Sequence, residues 1–238
     1  MVDAGIGALR QLHRKHIDSD EIDAVLITHW HFDHFAGLRA LLKSRKRSSP
    51  LLIYGPKLSA PARMYLMGVS NSAAIRFETA AGGFSKECGD ILIEAVPTVH
   101  DIVSIGWVLT EKLPAPELGG RRIVISGDTR PTEAIVDAAQ GADLLVHEAT
   151  YPDGYANTAM KHKHSTVTEA ANLGVKAGVG ALALTHMAHR YTKLNPLKEA
   201  ETIFPQVLIP SPLDTFSIEP VPDSLKMHRF GWGNVRLV

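Results

Sequence analysis

Four side chains able to bind a metal ion fall within six residues near the start of the chain, in the pattern His29-x-His31-x-Asp33-His34. The apolar run 24–28 precedes them and predicts a buried strand. Residues two apart in an extended chain project to the same side, so we expect His29 and His31 to share an ion. Asp33 and His34 follow where the chain turns into a helix and can reach a second ion. Imidazole and carboxylate ligands without thiolates suit zinc, manganese or iron.

Further candidate ligands each follow an apolar stretch that itself predicts a strand. They are His100, Asp128 and His186. In layered α/β folds the strand ends gather at one edge, where binding sites are assembled. Because the same placement recurs three times, the sequence predicts that these side chains join the first four in one metal site.

Composition restricts the class of protein. The chain has 238 residues, of which 45% are hydrophobic and 21% charged, as in ordinary soluble globular proteins. The single cysteine, Cys88, excludes a disulfide framework and a thiolate cluster. No apolar run approaches the ~18–20 residues of a membrane span, and the first residues lack a secretory pattern. We therefore expect a cytoplasmic protein without membrane association. The net charge of zero gives no overall attraction to nucleic acid.

Short apolar runs alternate with helical patterns, which predicts one mixed α/β domain over residues 1–238. Strands are predicted at 24–28, 51–54, 91–99, 104–110, 122–126, 142–146, 181–185 and 215–218. Helices are predicted at 35–43, 131–139, 196–203 and from Ser165 or Thr166 to 177. Residues 57–87 are ambiguous, since 60–69 could be helical, and the Pro-rich segment 113–120 is interpreted as a hairpin-like loop.

Taken together, the motifs resemble those of the metallo-β-lactamase superfamily. The resemblance rests on the histidine motif at 28–34, the position of His100, Gly127-Asp128-Thr129 and Leu184-Thr185-His186. Within the superfamily, His147-Glu148-Ala149-Thr150 and His164-Ser165-Thr166 resemble the ribonuclease Z branch. The fold implied is an αββα sandwich, in which two mixed β-sheets are flanked by helices.

The resemblance also implies a role for each candidate residue. One divalent ion would be bound by His29, His31, His100 and Asp128, and a second by Asp33, His34, Asp128 and His186. Zinc is the expected metal, with manganese and iron as alternatives. His164 would donate a proton to the leaving oxygen while Glu148 orients it, and Asp33 would help to position the attacking water. The implied reaction is metal-dependent hydrolysis of a phosphodiester, in a tRNA precursor or a smaller substrate. His147 is interpreted as structural or supporting.

The chain departs from the family pattern in two places. Met1-Val2 leads directly into Asp3-Ala4-Gly5, where the family has strands upstream. This predicts an N-terminally shortened fold with an open strand edge, which a second subunit could cover in a homodimer. Between His100 and Asp128 the family carries a long basic arm that grips tRNA, whereas the spacing here leaves room for two strands and a hairpin. Since phosphate neutralisation supplies most nucleic-acid affinity, this weakens the tRNA prediction specifically.

Other interpretations stay open at this point. Lactonases and thioesterases of the superfamily use the same ligands, and a degenerate scaffold could bind metal or RNA without catalysis. The cationic run at 43–47 is either a solvated helix end or a phosphate-facing patch. The His147-Glu148 and His164-Ser165 signatures favour phosphodiester hydrolysis.

Overall fold

The computed structural model describes residues 1–46, 50–67, 75–113, 120–188, 191, 194–219 and 235–237. The chain divides into two compact units. The N-terminal unit comprises Met1–Ala81 and Ile102–Ile105, and the C-terminal unit comprises Gly82–Asp101 and Gly106–Val238. No helix in the described part of the chain combines the length and apolar composition that crossing a membrane requires.

In the N-terminal unit the described residues form a three-stranded parallel sheet. Its strands, in spatial order, are β1 (Ala24–Leu26), β2 (Leu51–Gly55) and β3 (Ile75–Thr79). The helices are α1 (Ala8–Arg14), α2 (Phe32–Phe35), α3 (Leu38–Ser44) and α4 (Ala60–Met67). The core joins Val25 and Ile53 of the sheet to Leu38 and Leu41 of α3. The sheet thereby fixes the end of β1, from which the histidine motif follows.

In the C-terminal unit the described residues form a seven-stranded mixed sheet in the order β10-β9-β8-β7-β6-β5-β4. In chain order the strands are β4 (Ser85–Cys88), β5 (Ile91–Pro97), β6 (Ile105–Glu111), β7 (Arg122–Ile125), β8 (Leu144–Glu148), β9 (Ala181–Thr185) and β10 (Val207–Leu208). Strands β7 to β10 run parallel to one another, and β6 is antiparallel to β7. The helices are α5 (Glu133–Ala138), α6 (Ala156–His162), α7 (Val167–Ala177) and α8 (Pro196–Glu201). The described residues also form an antiparallel ribbon of β11 (Phe216–Ile218) with β12 (Val235–Leu237).

Two glycines let the start of the chain lie against the helix that follows the histidine motif. A Cβ atom added to Gly5 would lie 2.0 Å from the Asp33 carbonyl oxygen, and one added to Gly37 would lie 2.1 Å from the Gly5 carbonyl oxygen. The Ala4 amide donates to the His34 carbonyl at 2.7 Å, and the Gly37 amide donates to the Ala4 carbonyl at 2.7 Å. This close backbone contact brings the side chain of residue 3 to the histidine motif.

The mixed α/β fold, with its two main sheets and flanking helices, confirms the predicted fold class. Several predicted boundaries were wrong. The helix expected over 35–43 begins at Phe32 and is interrupted at Gly37. The helix expected from Pro131 begins at Glu133, because the Thr132 hydroxyl accepts the Ile135 amide and caps it. The Thr166 cap of α7 is confirmed. Residues 114–119 of the predicted loop and Arg47 of the cationic run lie outside the described residues.

Candidate metal centre

The N-terminal unit gathers its four predicted ligands immediately after β1. His29 is fully buried, and its Nε2 atom lies 3.0 Å from Nδ1 of His31. The ring centroids of His29 and His34 are 4.0 Å apart. Asp33 exposes most of its side chain, and its Oδ2 atom lies 3.6 Å from His34 Nε2. Ring nitrogens and a carboxylate oxygen therefore converge within this unit.

Asp3 supports this group, and sequence reasoning gave it no role. Its Oδ2 atom accepts hydrogen bonds from His34 Nδ1 at 2.7 Å and from the Thr28 hydroxyl at 2.8 Å. The Thr28 hydroxyl, having given its hydrogen to Asp3, accepts from Nδ1 of His29 at 3.0 Å. With Nδ1 as donor in both rings, the Nε2 lone pairs of His29 and His34 are left for a metal ion. The only signal in the sequence was the Asp3-Ala4-Gly5 run.

Asp128 is the centre of the ligand group in the C-terminal unit. It is buried directly after Gly127, whose φ of 60° lets the chain turn sharply at the end of β7. Its Oδ2 atom lies 3.4 Å from Nε2 of His186 and 3.9 Å from Nε2 of His100. His186 follows β9 with a left-handed backbone, φ 57°. The three predicted ligands of this unit therefore meet.

Hydrogen bonds also fix the ring nitrogens in this unit. His100 donates from Nδ1 to the Lys163 carbonyl at 3.2 Å, and His186 donates from Nδ1 to the Thr150 hydroxyl at 2.9 Å. Burial lowers the pKa of His100, which favours the neutral form that a metal ion requires. In both rings Nε2 is the nitrogen that faces Asp128. Thr150 is a second residue to which sequence reasoning gave no role.

The spacing of these atoms can be compared with the requirements of a metal ion. Two ligands of a tetrahedral ion with bonds of about 2.1 Å stand roughly 3.4 Å apart. The separations within the two units, 3.0 Å for His29 to His31 and 3.4 and 3.9 Å around Asp128, bracket that value. The donors are imidazole nitrogens and carboxylate oxygens in both units. This His/Asp set fits a divalent cation such as zinc.

Glu148 and His164 form the predicted pair in the C-terminal unit. His164 donates from Nδ1 to Glu148 Oε1 at 2.7 Å, and the Thr129 amide donates to the same oxygen at 2.9 Å. The amide and hydroxyl of Thr150 donate to Oε2 at 3.0 and 2.8 Å. Four donors therefore hold this buried carboxylate in one orientation, which leaves His164 Nε2 for another partner.

His164 lies beside the ligands of its own unit. Its ring stacks on that of His186, with centroids 5.6 Å apart and 20° between planes. Ligand atoms of Asp128, His164 and His186 lie within 4.8 Å of one another. Arg130 holds the loop in place by donating to the His164 carbonyl at 2.9 Å and pairing with Glu169 in α7. Sequence reasoning gave Arg130 no role.

His147 lies behind this pair, fully buried in β8. Its Nδ1 atom donates to the Glu148 carbonyl at 2.7 Å. Burial lowers its pKa. Among the described residues, no hydrogen-bond partner faces its Nε2 atom.

Comparison with known proteins gives a family match over most of the chain. A family model described as the beta-lactamase superfamily domain matches residues 1–187. The ribonuclease Z of Myxococcus xanthus is 32% identical, with 80% of this chain and 78% of the relative covered. The ribonuclease Z of Methanosarcina acetivorans is 29% identical, with 94% of this chain and 90% of the relative covered.

Solved structures are also similar over most of the chain. A metallo-β-lactamase fold protein of Bacillus subtilis has a TM-score of 0.76 and 25% identity, covering 89% of this chain and 84% of its own. The short form of human tRNase Z has a TM-score of 0.67 and 28% identity, covering 80% of this chain and 82% of its own. The alignment with the Methanosarcina acetivorans protein runs over 276 positions, which exceeds the 238 residues of this chain by 38. That relative therefore carries at least 38 residues inside the matched region that have no counterpart here.

Proposed function

Because the chain belongs to the metallo-β-lactamase superfamily, and within it groups with ribonuclease Z, we propose that it hydrolyses phosphodiester bonds in RNA. Membership makes it a metal-dependent hydrolase. The family match contains all seven predicted ligands and runs through both compact units. A tRNA precursor is the substrate that the names of the relatives suggest, with a smaller phosphodiester as the simpler alternative.

The predicted ligands would hold two metal ions. The first would be held by His29, His31, His100 and Asp128, and the second by Asp33, His34, Asp128 and His186. Zinc fits this donor set, and manganese or iron would also be accepted. When bound, such a pair supplies a water that is nucleophilic at neutral pH and charge stabilisation for the phosphoryl oxygens.

The observation that carries the proposal is the hydrogen-bonded pair of Glu148 and His164. Cleavage of a phosphodiester releases an alkoxide, which needs a proton as the bond breaks. The carboxylate of Glu148 accepts a hydrogen bond from Nδ1 of His164 and so orients the ring, and Nε2 is the nitrogen that would pass a proton to the leaving oxygen. A thiolate leaves without such help, since thiols ionise near pH ~8.5. A dedicated acid therefore favours a substrate with an oxygen leaving group over a thioester, whose leaving group is a thiolate.

Asp33 has the second role in this mechanism. Its carboxylate is exposed, unlike that of Asp128, and lies within the histidine motif, at the start of α2. An exposed carboxylate can accept a hydrogen bond from the attacking water and fix its direction of approach. We therefore assign Asp33 to positioning of the water as well as to metal binding.

The first test is the metal content per chain, followed in the same sample by turnover of bis(p-nitrophenyl) phosphate and of a precursor tRNA. Two metal ions with cleavage of both substrates support the whole proposal. Cleavage of the small diester alone would restrict the substrate to small phosphodiesters. Absence of bound metal after reconstitution would contradict the proposal and favour a non-catalytic scaffold.

The proton donor is tested by replacing His164. The variant His164→Ala should keep its metal content, while kcat falls about 10²- to 10⁴-fold because general acid catalysis is lost. Asp128→Ala should lose metal and turnover together. The matched control is His162→Ala, an exposed histidine at the end of α6, which should behave as wild type. An unchanged kcat in His164→Ala would show that the assignment is wrong.

A further inference from the structure

An exposed aromatic pocket adjoins the histidine motif within the N-terminal unit. Six residues line this cavity of about 330 Å³, which we call the aromatic pocket: Trp30, Phe32, Phe35, Pro61, Met64 and Tyr65. Phe32 is 53% exposed and Met64 is 75% exposed. Apolar surface that stays in water loses the stabilisation that burial would give, roughly 25 cal/mol for each Å². Phe32 stands between His31 and Asp33, so the pocket begins one residue from two proposed ligands.

Neighbouring groups hold the rings of the pocket in place. The Phe32 ring meets those of Tyr65 and Phe35 edge to face, with centroids 5.1 and 5.7 Å apart. The Tyr65 hydroxyl donates to the Ala36 carbonyl at 2.8 Å, and Trp30 Nε1 donates to the Pro56 carbonyl at 2.8 Å. These contacts form without a ligand. A flat apolar group could therefore bind with little loss of side-chain freedom.

The stretch of sequence that contains four of the six pocket residues is strongly basic, although the protein as a whole is neutral. Residues 34–77 contain no Asp or Glu and eight cations, namely Arg39, Lys43, Arg45, Lys46, Arg47, Lys57, Arg63 and Arg76. The whole chain has 25 cations and 25 acids. The residues outside 34–77 therefore contain 17 cations and all 25 acids. Helices α3 and α4 carry Arg39, Lys43 and Arg63 as their only charged residues. The guanidinium of Arg39 lies 5.1 Å from the centre of the Tyr65 ring.

We propose that the aromatic pocket binds a nucleobase of single-stranded RNA beside the phosphodiester that is cleaved, while cations of α3 and α4 contact the adjoining phosphates. Single-stranded RNA is recognised by such a combination of aromatic stacking with positive charge. The cavity is at the lower end of the ~300–1,000 Å³ range of ligand sites, which suits one base. An apolar peptide would make no use of the positive charge that α3 and α4 carry. This inference rests on the proposed function and specifies its substrate contact.

The test uses single-stranded RNA with 2-aminopurine beside a scissile linkage replaced by a non-hydrolysable methylenephosphonate. Binding to the metal-loaded wild-type protein should quench the 2-aminopurine fluorescence by stacking. Phe32→Ala should weaken binding about 5- to 100-fold, the equivalent of one stacked base, and abolish the quenching. Phe32→Trp should retain both. Met67→Ala, which removes an exposed side chain of α4 outside the pocket, is the control that should bind as wild type.

Metal content per chain must accompany each measurement, because Phe32 adjoins the proposed ligands. Met64→Ala lies outside the histidine motif and must also weaken binding, which separates the pocket from any effect on the metal. Wild-type affinity and quenching in Phe32→Ala and in Met64→Ala, with RNA cleavage intact, would overturn the role of the pocket and leave the proposed function standing. Failure of the wild-type protein to cleave RNA would instead remove the proposed function. Loss of self-association in Phe32→Ala at unchanged RNA affinity would also overturn the inference, by assigning the pocket to a second copy of the chain.

Discussion

Four of the five candidate ligand histidines share one arrangement at the scale of single residues. Each has an acceptor at Nδ1: Thr28 Oγ1 for His29, Asp3 Oδ2 for His34, the Lys163 carbonyl for His100 and Thr150 Oγ1 for His186. An acceptor at Nδ1 selects the tautomer with its lone pair on Nε2, which is the form that binds a metal ion. The supporting residues, and not only the ligands, therefore prepare the site.

Asp3 provides a direct test of this arrangement. Asp3→Asn keeps the shape of the side chain, and Asn tolerates the left-handed backbone found there, φ 50°. Without the carboxylate charge, the hydrogen bonds from His34 and Thr28 to residue 3 weaken, so we expect metal affinity to fall about 10- to 100-fold. Competition with a chelator measures this affinity. Asp23→Asn removes the same charge from an exposed position in the same unit and should change nothing. Equal affinities for the two variants would contradict a supporting role for Asp3.

At the scale of the secondary-structure elements, local patterns predicted the strands and ligands but not their boundaries or supports. The run 142–146 predicted a strand, whereas β8 spans Leu144–Glu148 because its register with β9 pairs Glu148 with Thr185. That pairing depends on residues far along the chain. Asp3 likewise reaches His34 across 31 positions, through a backbone contact that Gly5 permits. Ligand types and spacing are visible in a sequence, but such long-range contacts are not.

His147, which is buried in β8, should make the stability of the folded protein depend on pH. Its pKa is lowered by burial in the folded state and is near 6.5 when the chain is unfolded. Below that pH the unfolded state binds a proton that the folded state excludes, so stability falls by about 1.4 kcal/mol for each pH unit. His147→Asn keeps a donor near the Nδ1 position and should remove this loss. Urea unfolding of the wild-type protein and of His147→Asn, from pH 7.5 down to pH 5, measures how the stability of each depends on pH. Parallel stability curves for the two would show that His147 does not titrate.

At the scale of the whole molecule, a net charge of zero conceals a separation of charge along the sequence. The segment 34–77 carries a net charge of +8, and the other residues therefore carry −8. The cationic run at 43–47, which the sequence left open between a solvated helix end and a phosphate-facing patch, is part of that segment. Lys43 lies in the last turn of α3, one of the two helices that we assign to phosphate contact. A protein of this kind can bind RNA without a net positive charge.

This separation of charge predicts how RNA affinity depends on salt. For single strands, each neutralised phosphate contributes roughly 0.7 to the slope of log affinity against log salt concentration. Replacing Lys43 and Arg63 by Gln should therefore reduce the slope by about 1.4, because two contacts are lost. Fluorescence anisotropy with a labelled RNA between roughly 50 and 200 mM salt gives the slope. The control replaces Lys176 and Lys198, two cations of the C-terminal unit, and changes the net charge by the same amount. If both double variants lowered the slope equally, overall charge would govern binding, and the basic helices would have no special part in it.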